Sequence, residues 1–262
     1  MKLTGEQMKK TRIDQLLVRR ELVPSREVAQ RLILAGKVRA GEKLITKPGQ
    51  LVPEAENIQL LEDLKYVSRG GYKLEHALDQ FGVKVEKRII LDVGASTGGF
   101  TDCLLQRGAG HVYAVDVGYG QLSWKLRQDP RVTVFERVNA RYLEKRMFYE
   151  EIDLAVMDVS FIGAQKILKP LLSITSEIIL LLKPQFEAGP EDVPRGGIIR
   201  DSSVHRKVLL SFYRHLEPWK IQGLIDSPIL GSSGNREFLV HLRKNHGWNE
   251  SYYLQKVEEL VG

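Results

Sequence analysis

The stretch Ile89–Asp102 constrains the fold of this chain more than any other part of its sequence. A short apolar run, Ile89 to Val93, leads directly into a small turn with glycine at positions 94, 98 and 99, and a helix-like stretch follows to Arg107. This pattern predicts a strand, a tight loop and the start of a helix. Because glycine has no Cβ and tolerates unusual backbone angles, such a loop lets a ligand approach the backbone closely.

A second apolar run ends in Asp116, 22 residues after Gly94. A carboxylate at the end of the second strand of a βαβ unit is placed to hold the two hydroxyls of a ribose. The dinucleotide fingerprint is excluded because position 96 is Ser, and the loop has no P-loop lysine. We therefore expect an adenosyl group without phosphates, and S-adenosylmethionine fits. The alternative is a tight turn without a ligand. The residues predicted to contact this cofactor are Asp92, Gly94, Ser96, Gly98, Gly99, Phe100 and Asp116.

The composition is that of an ordinary globular protein of 262 residues, which is long enough for one or two domains. Cys103 is the single cysteine, so no intrachain disulfide can form and a reducing compartment is expected. The longest apolar runs, such as Ile178 to Leu182, fall far below the roughly 20 residues of a membrane span. Since no apolar segment of a secretory signal is visible, we expect a cytoplasmic protein.

Positive charge is concentrated in the N-terminal quarter. The formal net charge is +6, and residues 1–65 hold 13 Lys and Arg against 9 Asp and Glu, whereas the remaining 197 residues hold 26 against 24. A basic quarter beside a nearly neutral body indicates a phosphate-binding module attached to a second domain. The alternative is a solvated surface that happens to be basic.

Two short helices are predicted in this basic module. Thr11 is expected to be the N-cap of the first helix, with Asp14 at the capping-box position. Ser25 is expected to cap the second helix, and Gly36 ends it. A hairpin at Gly41 and a further strand then predict a small sheet. The module is therefore expected to be a small α+β domain.

The order and spacing of residues 11–62 follow a specific pattern. It consists of Arg12-Ile13-Asp14-x-Leu16-Leu17, Ser25-Arg26-x-x-Ala29-x-x-Leu32-Ile33, Gly36-x-Val38 and the hairpin at Gly41. This pattern resembles the S4-like RNA-binding domain, and the resemblance implies phosphate and shape contacts with structured RNA. Side chains cannot read the narrow major groove of A-form RNA, which agrees with that mode of binding. The candidate RNA contacts are Arg12, Arg19, Arg26, Arg31, Lys37, Arg39 and, further along the chain, Arg69.

Three segments are predicted: an S4-like domain over residues 1–64, a linker at 65–71 that contains a Gly pair, and a large domain over 72–262. The large domain alternates between apolar strands and helical stretches. Its strands are predicted at 89–93, 111–116, 132–135, 152–158, 177–183, 219–225 and 237–243. Such alternation predicts an α/β fold with a mostly parallel seven-stranded sheet covered on both faces. We interpret it as a Rossmann-like S-adenosylmethionine-dependent methyltransferase domain.

Four charged side chains are expected at one edge of this sheet. Asp158 follows the fourth strand, Lys183 follows the fifth, Glu237 begins the last, and Lys73 lies on the helix before the first. Ligands of such sheets lie beyond the carboxyl ends of the strands. Methyl transfer from a sulfonium to a ribose hydroxyl requires an oxygen nucleophile stripped of its proton. A partly desolvated lysine near carboxylates can orient or accept that proton and stabilise the developing alkoxide.

The same side chains belong to longer motifs. These are Ser68-Arg69-Gly70-Gly71-Tyr72-Lys73-Leu74, Asp92-Val93-Gly94-x-Ser96-x-Gly98-Gly99-Phe100-Thr101-Asp102, Asp158-Val159-Ser160-Phe161-Ile162, Lys183-Pro184-Gln185-Phe186 and Gly234-Asn235-x-Glu237. The Lys-Asp-Lys-Glu set looks like the tetrad of the FtsJ-like ribose methyltransferases, and the whole set is similar to the TlyA/haemolysin-A-like family. The resemblance covers nearly the whole chain. It implies S-adenosylmethionine-dependent 2′-O-methylation of ribosomal RNA. It also implies that Lys183 is the central catalytic residue, that Lys73, Asp158 and Glu237 support it, and that Asn139 contacts the adenine edge.

The residues alone leave three other classes of function open. A non-catalytic RNA-binding or ribosome-associated factor would retain the cofactor pocket without transferring a methyl group. A small-molecule methyltransferase would have no use for the basic module. A membrane-active haemolysin is implied by the family name, although no segment resembles a membrane-inserting one. The histidines lack metal-ligand spacing, so we expect no metal. The expected partners are ribosomal RNA or ribosomal subunits, and no membrane.

Overall fold

The computed structural model describes residues 10–34, 36–60, 65–231 and 233–262. The chain divides into two units, and the boundary lies between Lys65 and Tyr66. The N-terminal unit has one cluster of buried apolar side chains, and the C-terminal unit has two.

The N-terminal unit combines two helices with short strands. Its elements are β1 (Lys10–Arg12), α1 (Ile13–Arg19), α2 (Arg26–Leu34), β2 (Val38–Ala40), β3 (Lys43–Ile45), β4 (Leu51–Pro53) and β5 (Ile58–Leu60). β1 pairs antiparallel with β4, and β2 lies between β3 and β5. Apolar residues of both helices, among them Leu17 and Ile33, are fully buried with strand residues in one core. The predicted small α+β domain is confirmed.

Thr11 does not cap the first helix. It lies in β1 opposite Val52, and its hydroxyl donates to Glu54 Oε1 at 2.9 Å. α1 begins at Ile13, with Arg12 in the N-cap position and no side-chain capping bond. The capping prediction is therefore wrong, because pairing with β4, about forty residues away in sequence, draws this segment into an extended strand. Local sequence carries no signal of that pairing.

Asp14 is the buried ionic centre of the N-terminal unit. Its side chain is inaccessible to solvent, and it accepts hydrogen bonds from Arg12 Nη2 at 3.0 Å, Arg26 Nε at 2.8 Å and Gln30 Nε2 at 3.2 Å. The hydrogen bond from Arg12 lowers the pKa of Asp14 well below its usual range. Burial opposes this shift, and the bonds from Arg26 and Gln30 reinforce it. Asp14 therefore ties β1 and α1 to α2 instead of closing a capping box.

We expect Asp14→Ala to lower the free energy of unfolding of the N-terminal unit by about 2 to 3 kcal/mol, because hydrogen bonds to charged groups are lost. Hydrogen exchange of amides 13–34 in the full chain measures this change. Glu27→Ala, at an exposed position of α2, is the matched control. Because the pKa of Asp14 is lower in the folded state, its contribution is present above its ordinary pKa and is lost as pH falls below it. A variant as stable as the control would contradict this role.

The C-terminal unit is built on one seven-stranded sheet. Its elements are α3 (Gly70–Phe81), β6 (Ile89–Val93), α4 (Gly99–Gln106), β7 (His111–Val115), α5 (Trp124–Arg127), β8 (Val132–Phe135), β9 (Leu154–Met157), α6 (Gln165–Leu171), β10 (Glu177–Leu182), α7 (Pro184–Glu187), α8 (Ser202–Arg214), β11 (Trp219–Asp226), β12 (Phe238–Lys244) and α9 (Glu250–Val261). The strand order is β11-β12-β10-β9-β6-β7-β8, and β12 runs antiparallel to both of its neighbours. The predicted α/β fold with a mostly parallel seven-stranded sheet is confirmed.

Both faces of this sheet are covered by helices. Ile90 of β6 packs in a cluster with residues of α3 and α4, whereas its neighbours Leu91 and Val93 pack in a cluster with residues of α6, α8 and α9. Successive residues of a strand point to opposite faces, so one apolar strand contributes side chains to the apolar clusters on both faces of the sheet. The polar groups that follow the strands are consequently left at the sheet edge, where the carboxyl ends of the parallel strands meet.

Residues 66–71 fold with the C-terminal unit. Tyr66 is 1% exposed within its core, and Val67 N donates to Asp102 Oδ2 at 2.8 Å. α3 begins at Gly70, two residues before the predicted start of the large domain at Tyr72. The linker predicted at 65–71 is therefore not a free connection over most of its length. The Gly pair that breaks the apolar periodicity lies in the first turn of α3.

Glu177 joins three segments at the amino-terminal end of β10. It is 4% exposed, and it accepts hydrogen bonds from His241 Nε2 at 2.8 Å, Arg88 Nη2 at 2.7 Å and Arg243 Nε at 3.1 Å. Burial raises the pKa of this carboxyl, but the hydrogen bonds from His241 and Arg88 outweigh burial and lower it to about 2. The ionised carboxylate thus fastens β10 to β12 and to the chain that enters β6.

We expect Glu177→Gln to lower the free energy of unfolding by about 3 kcal/mol at pH 7, because the cations around it lose a buried partner. Since the folded pKa lies below the ordinary value of 4.5, this contribution is present above that value and fades as pH falls toward about 2. Urea unfolding at pH 7 and pH 3 measures the difference, with the exposed Glu86→Gln as control. A difference in unfolding free energy between variant and wild type that is larger at pH 3 than at pH 7 would contradict this assignment.

Candidate active site

The turn between β6 and α4 brings two strand ends into close contact. Gly94 has a φ of +85°, and a Cβ at this position would lie 2.4 Å from the carbonyl oxygen of Asp158. At Gly98, which has a φ of +96°, an added Cβ would lie 2.2 Å from Cδ1 of Leu126. Both positions therefore require glycine. The turn is also tied to β7, because Gly94 N donates to Val115 O at 2.8 Å.

Asp116, directly after β7, holds two neighbouring loops. Its Oδ2 accepts a hydrogen bond from Ser96 N at 2.8 Å, and its Oδ1 accepts one from Gly118 N at 2.7 Å. Val138 N, after β8, donates to the carbonyl of Asp116 at 3.0 Å. The carboxylate thus lies at the glycine turn, where the strand spacing predicts it. Each of its oxygens has further acceptor capacity.

Two lysine–carboxylate pairs lie at the carboxyl edge of the sheet. Lys73 Nζ is 2.5 Å from Glu237 Oε2, and both side chains are at least nine-tenths buried. Lys183 Nζ is 2.6 Å from Asp158 Oδ1, and these side chains are 11% and 24% exposed. The antiparallel pairing of β12 with β10 sets Phe238 opposite Leu182. Glu237 therefore reaches the same edge as Lys183, although it precedes its strand.

Two adjoining cavities occupy this edge, and we name them by their walls. The lysine cavity, of about 260 Å³, is lined by all four members of the Lys-Asp-Lys-Glu set, together with Arg69. The turn cavity, of about 580 Å³, is lined by Asp116, Asn139 and the apolar side chains of Val117, Val138 and Ile162. Gly94, Ser96, Asp158 and Ser160 line both. The four predicted catalytic side chains thus lie together beside the glycine turn.

The predicted cofactor residues divide into lining and supporting positions. Gly94, Ser96, Gly99, Phe100, Asp116 and Asn139 line one or both cavities. Asp92 and Gly98 line neither. Asp92 is fully buried, accepts a hydrogen bond from Thr101 Oγ1 at 2.6 Å, and has a pKa that burial raises to about 7. Asp92 therefore supports the turn through its hydrogen bond and does not line either cavity. The spacing of the motif does not distinguish such a supporting residue from one that contacts the cofactor.

Asn139 lies at the start of a short 3₁₀ turn after β8. Its Oδ1 accepts hydrogen bonds from Arg141 N at 3.1 Å and from Arg141 Nε at 3.2 Å. Asn139 and Arg141 both line the turn cavity. The side-chain amide of Asn139 is thus held by its own loop at the cavity wall.

Two residues of the loop after β9 were not predicted as site residues. Ser160 Oγ accepts a hydrogen bond from Lys183 Nζ at 2.8 Å. Phe161 is 89% exposed, has a φ of +65°, and lines the turn cavity. A bulky residue in the left-handed region is an outlier that often marks a functional segment. Both residues lie in the motif Asp158-Val159-Ser160-Phe161-Ile162, but the sequence shows neither the contact of Ser160 nor the backbone angle of Phe161.

The predicted RNA contacts of the N-terminal unit include three arginines with acidic partners. Arg12 and Arg26 are paired with Asp14, and Arg19 Nη2 lies 3.0 Å from Glu54 Oε1. Their side chains are nevertheless 41%, 50% and 52% exposed, respectively. Each guanidinium therefore combines a structural contact with donors that remain open to solvent.

The other predicted RNA contacts have varied surroundings. Arg39 is exposed on β2, and Lys37 is half-buried between α2 and β2. The side chain of Arg31 lies outside the described residues. Arg69, in the C-terminal unit, donates from Nη2 to Leu230 O at 3.0 Å and lines the lysine cavity.

The described residues offer neither a metal site nor a membrane-spanning helix. No group of three or more His, Cys, Asp and Glu side chains there could hold a metal ion. None of the helices in the same ranges combines the length and the apolar character needed to cross a membrane.

We expect Gly94→Ala to abolish S-adenosylmethionine binding and to lower the free energy of unfolding by about 3 kcal/mol, because the added Cβ meets the Asp158 carbonyl at a strained φ. Gly82→Ala is the matched control, since Gly82 has a φ of +64° with open space around it. The free energy of unfolding of that variant should fall by only ~1 kcal/mol. Isothermal titration and thermal unfolding measure both effects. Equal behaviour of the two variants would contradict the close approach.

The turn cavity suits the predicted cofactor. Its volume falls within the range of small-molecule sites, which is roughly 300 to 1,000 Å³. Asp116 offers carboxylate oxygens to ribose hydroxyls, and the apolar side chains of Val117, Val138 and Ile162 offer packing surface. Gly94 and Ser96 bring their backbone to both cavities, so a ligand that spans them places one end beside the lysines.

The chain is similar to known proteins over most of its length. A curated relative from Mycobacterium tuberculosis, the 16S/23S rRNA (cytidine-2′-O)-methyltransferase TlyA, is 44% identical over 90% of this chain and 90% of its own length. Hemolysin A of Brachyspira hyodysenteriae is 43% identical over 88% of this chain and 98% of its own length. A solved structure of a Streptococcus thermophilus protein, described as a hemolysin, has a TM-score of 0.74 and 44% identity and covers 97% of this chain and 95% of its own.

Residues 66–244 match the FtsJ-like methyltransferase family, and residues 11–58 match the S4 domain. The first match spans more than half of the chain and includes the glycine turn and all four members of the Lys-Asp-Lys-Glu set. The predicted enzyme class and the predicted cofactor, S-adenosylmethionine, are confirmed. The chain therefore belongs to the FtsJ-like methyltransferase family and carries an S4 domain ahead of its methyltransferase domain.

Proposed function

We propose that this chain transfers a methyl group from S-adenosylmethionine to the 2′-hydroxyl of a ribose in ribosomal RNA. The observation that carries the proposal is the pair of lysine–carboxylate contacts, Lys73–Glu237 and Lys183–Asp158, in a cavity that shares its wall with the glycine turn. The M. tuberculosis relative is named for methylation of cytidine 2′-oxygens in 16S and 23S rRNA, which supports the same reaction here.

S-adenosylmethionine supplies an electrophilic methyl group on a positively charged sulfur. In our proposal, Asp116 binds the ribose hydroxyls of the cofactor, and Asn139 contacts its adenine edge. The backbone at Gly94 and Ser96 leads from the turn cavity to the lysine cavity. The reacting end of the cofactor is thereby directed toward the lysines. Gly99 and Phe100 form the adjoining wall at the start of α4.

Lys183 is the central catalytic residue of this proposal. Its side chain is 11% exposed, and its Nζ is fixed beside Asp158. Its ammonium orients the substrate hydroxyl and stabilises the negative charge that develops on that oxygen, while the hydroxyl proton passes to water. Methyl transfer needs little covalent help from the protein once the substrate oxygen and the methyl group are aligned, so most of the rate effect comes from positioning.

Lys73 and Glu237 form the second wall of the reacting site. Both are nearly buried, and each neutralises the other at 2.5 Å. A paired cation at this wall stabilises negative charge that develops on the substrate oxygen without leaving an unpaired buried charge in the resting protein. We therefore assign both residues a supporting role beside Lys183, with Asp158 as its immediate partner.

The N-terminal unit provides RNA affinity in this proposal. Its partly exposed arginines, Arg12, Arg19 and Arg26, and the exposed Arg39 are suited to phosphate contacts. Such contacts give affinity with a steep dependence on salt and little sequence readout. Arg69, at the lysine cavity, is placed to contact the nucleotide that enters it. We propose that the substrate is a ribosomal subunit or its rRNA, and that the protein acts in the cytoplasm.

We expect Lys183→Ala to slow methyl transfer by roughly 10²- to 10³-fold, the usual cost of removing one donor that stabilises charge in a transition state. The affinity for S-adenosylmethionine should change less than twofold, because Lys183 lines the lysine cavity and not the turn cavity. Tritiated methyl transfer to separated ribosomal subunits and to free rRNA, followed by nucleotide mapping, measures the rate and the product.

Lys169→Ala, at an exposed position of α6 outside both cavities, is the control and should retain full activity. Full activity of Lys183→Ala would contradict the assigned mechanism. Salt-sensitive rRNA binding by a wild-type protein that leaves no methyl mark would favour the non-catalytic RNA-binding factor instead.

A further inference from the structure

Lys183 has two partners in the described part of the chain, and they differ in kind. Asp158 Oδ1 lies 2.6 Å from Nζ as an ion pair, but the two groups are not aligned as a hydrogen bond. Ser160 Oγ, at 2.8 Å, does accept an aligned hydrogen bond from Nζ. Charge attraction depends weakly on angle, whereas a hydrogen bond weakens steeply when it bends. Asp158 therefore neutralises the charge of Lys183, and Ser160 determines the direction in which the Nζ group of Lys183 points.

The local chain explains why both side chains reach one nitrogen. Asp158 and Ser160 follow β9 two residues apart, and alternate residues of an extended chain point to the same side. The next residue, Phe161, has a φ of +65°, which turns the chain away immediately after Ser160. The carboxylate and the hydroxyl thus project together toward the end of β10, where Lys183 begins the next segment.

The far side of this turn is fastened to α7, the helix that starts directly after Lys183. The rings of Phe161 and Phe186 are 4.9 Å apart, and Glu187 Oε1 accepts a hydrogen bond from Ala164 N at 2.7 Å. These contacts compensate the unfavourable backbone angle of Phe161. These two contacts join the loop after β9 to α7. They therefore fix the position of Ser160 relative to Lys183.

We propose that Ser160 is a positioning residue for methyl transfer, which acts by aiming Nζ of Lys183 at the substrate oxygen. The inference rests on the proposed function, because it refines the role of the same lysine. A lysine nitrogen has three positions besides its bond to Cε. Asp158 occupies one side and Ser160 fixes a second, so the third is left facing the lysine cavity that both residues line.

The hydroxyl of Ser160 suits this task better than a second carboxylate would. It accepts a hydrogen bond from Lys183 without adding negative charge to a cavity that must accommodate charge on the attacking oxygen. Ser160 is itself exposed in the free protein. Bound RNA would cover it, which strengthens a hydrogen bond by excluding water. The hydrogen bond between Ser160 and Lys183 is therefore strongest in the RNA complex, in which the methyl group is transferred.

Ser160→Ala tests the proposal in single-turnover methyl transfer to rRNA with saturating S-adenosylmethionine. We expect the rate to fall by about 10- to 100-fold, the usual cost of misplacing a reacting group. The dissociation constant for S-adenosylmethionine and the KM for RNA should stay within about twofold, since no new charge or volume is introduced. Ser160→Thr keeps the hydroxyl and should restore most of the rate. Ser173→Ala, whose hydroxyl donates to Pro170 O on α6, is the matched control.

Three outcomes would overturn the proposal: a wild-type rate for Ser160→Ala, a raised KM for RNA with an unchanged rate, or a slow Ser160→Thr variant that is folded. The second would make Ser160 a direct substrate contact, and the third would show that the hydroxyl is not the active feature.

A second measurement does not depend on methyl transfer. Labelling of Lys183 by acetic anhydride, followed by mass spectrometry, should be about tenfold faster in Ser160→Ala, because the ammonium loses its aligned acceptor. Unchanged labelling would contradict the contact. If the wild type methylates no rRNA, the proposed function fails, while the labelling rates still report on the contact between Lys183 and Ser160.

Discussion

The site depends on the close approach of two strand ends, at Gly94 and Asp158. A Cβ on Gly94 would lie 2.4 Å from the Asp158 carbonyl, so the ends of β6 and β9 can meet only where residue 94 is glycine. That contact sets the cofactor turn directly beside the residue that pairs with Lys183. The glycine turn and the Lys183–Asp158 pair are thus joined by backbone packing, and the side chains of the site extend from this packed backbone.

The four members of the Lys-Asp-Lys-Glu set form two pairs of opposite charge. Lys73 with Glu237 and Lys183 with Asp158 each form a close contact, and each joins residues that are distant in sequence. An isolated charge at such burial would be strongly destabilising, whereas a paired one is tolerated. The pairing leaves neither lysine as an unpartnered buried cation. The same arrangement recurs outside the site: Asp14 and Glu177 are buried carboxylates held by arginines.

Much of this architecture was predictable because its causes are local. The apolar runs at 89–93 and 178–182 predict strands buried on both faces, and the glycine turn at Gly94 predicts the edge that binds the cofactor. The errors arose where a distant segment decided the local structure. Thr11 joined a strand instead of capping a helix, since β4 pairs with it. Tyr66 was placed in a linker but is buried in the core of the C-terminal unit.

The sequence by itself determined the order of strands and helices along the chain, the glycines of the turn and the identity of the four charged residues of the Lys-Asp-Lys-Glu set, because periodicity and motif spacing are local properties of the chain. The tertiary structure alone decided which groups meet. It paired Lys73 with Glu237, withdrew Asp92 from the cavity, and aligned Ser160 with Lys183. Contacts of this kind depend on strand register and backbone angles, such as the φ of Phe161, which arise only when the sheet has assembled.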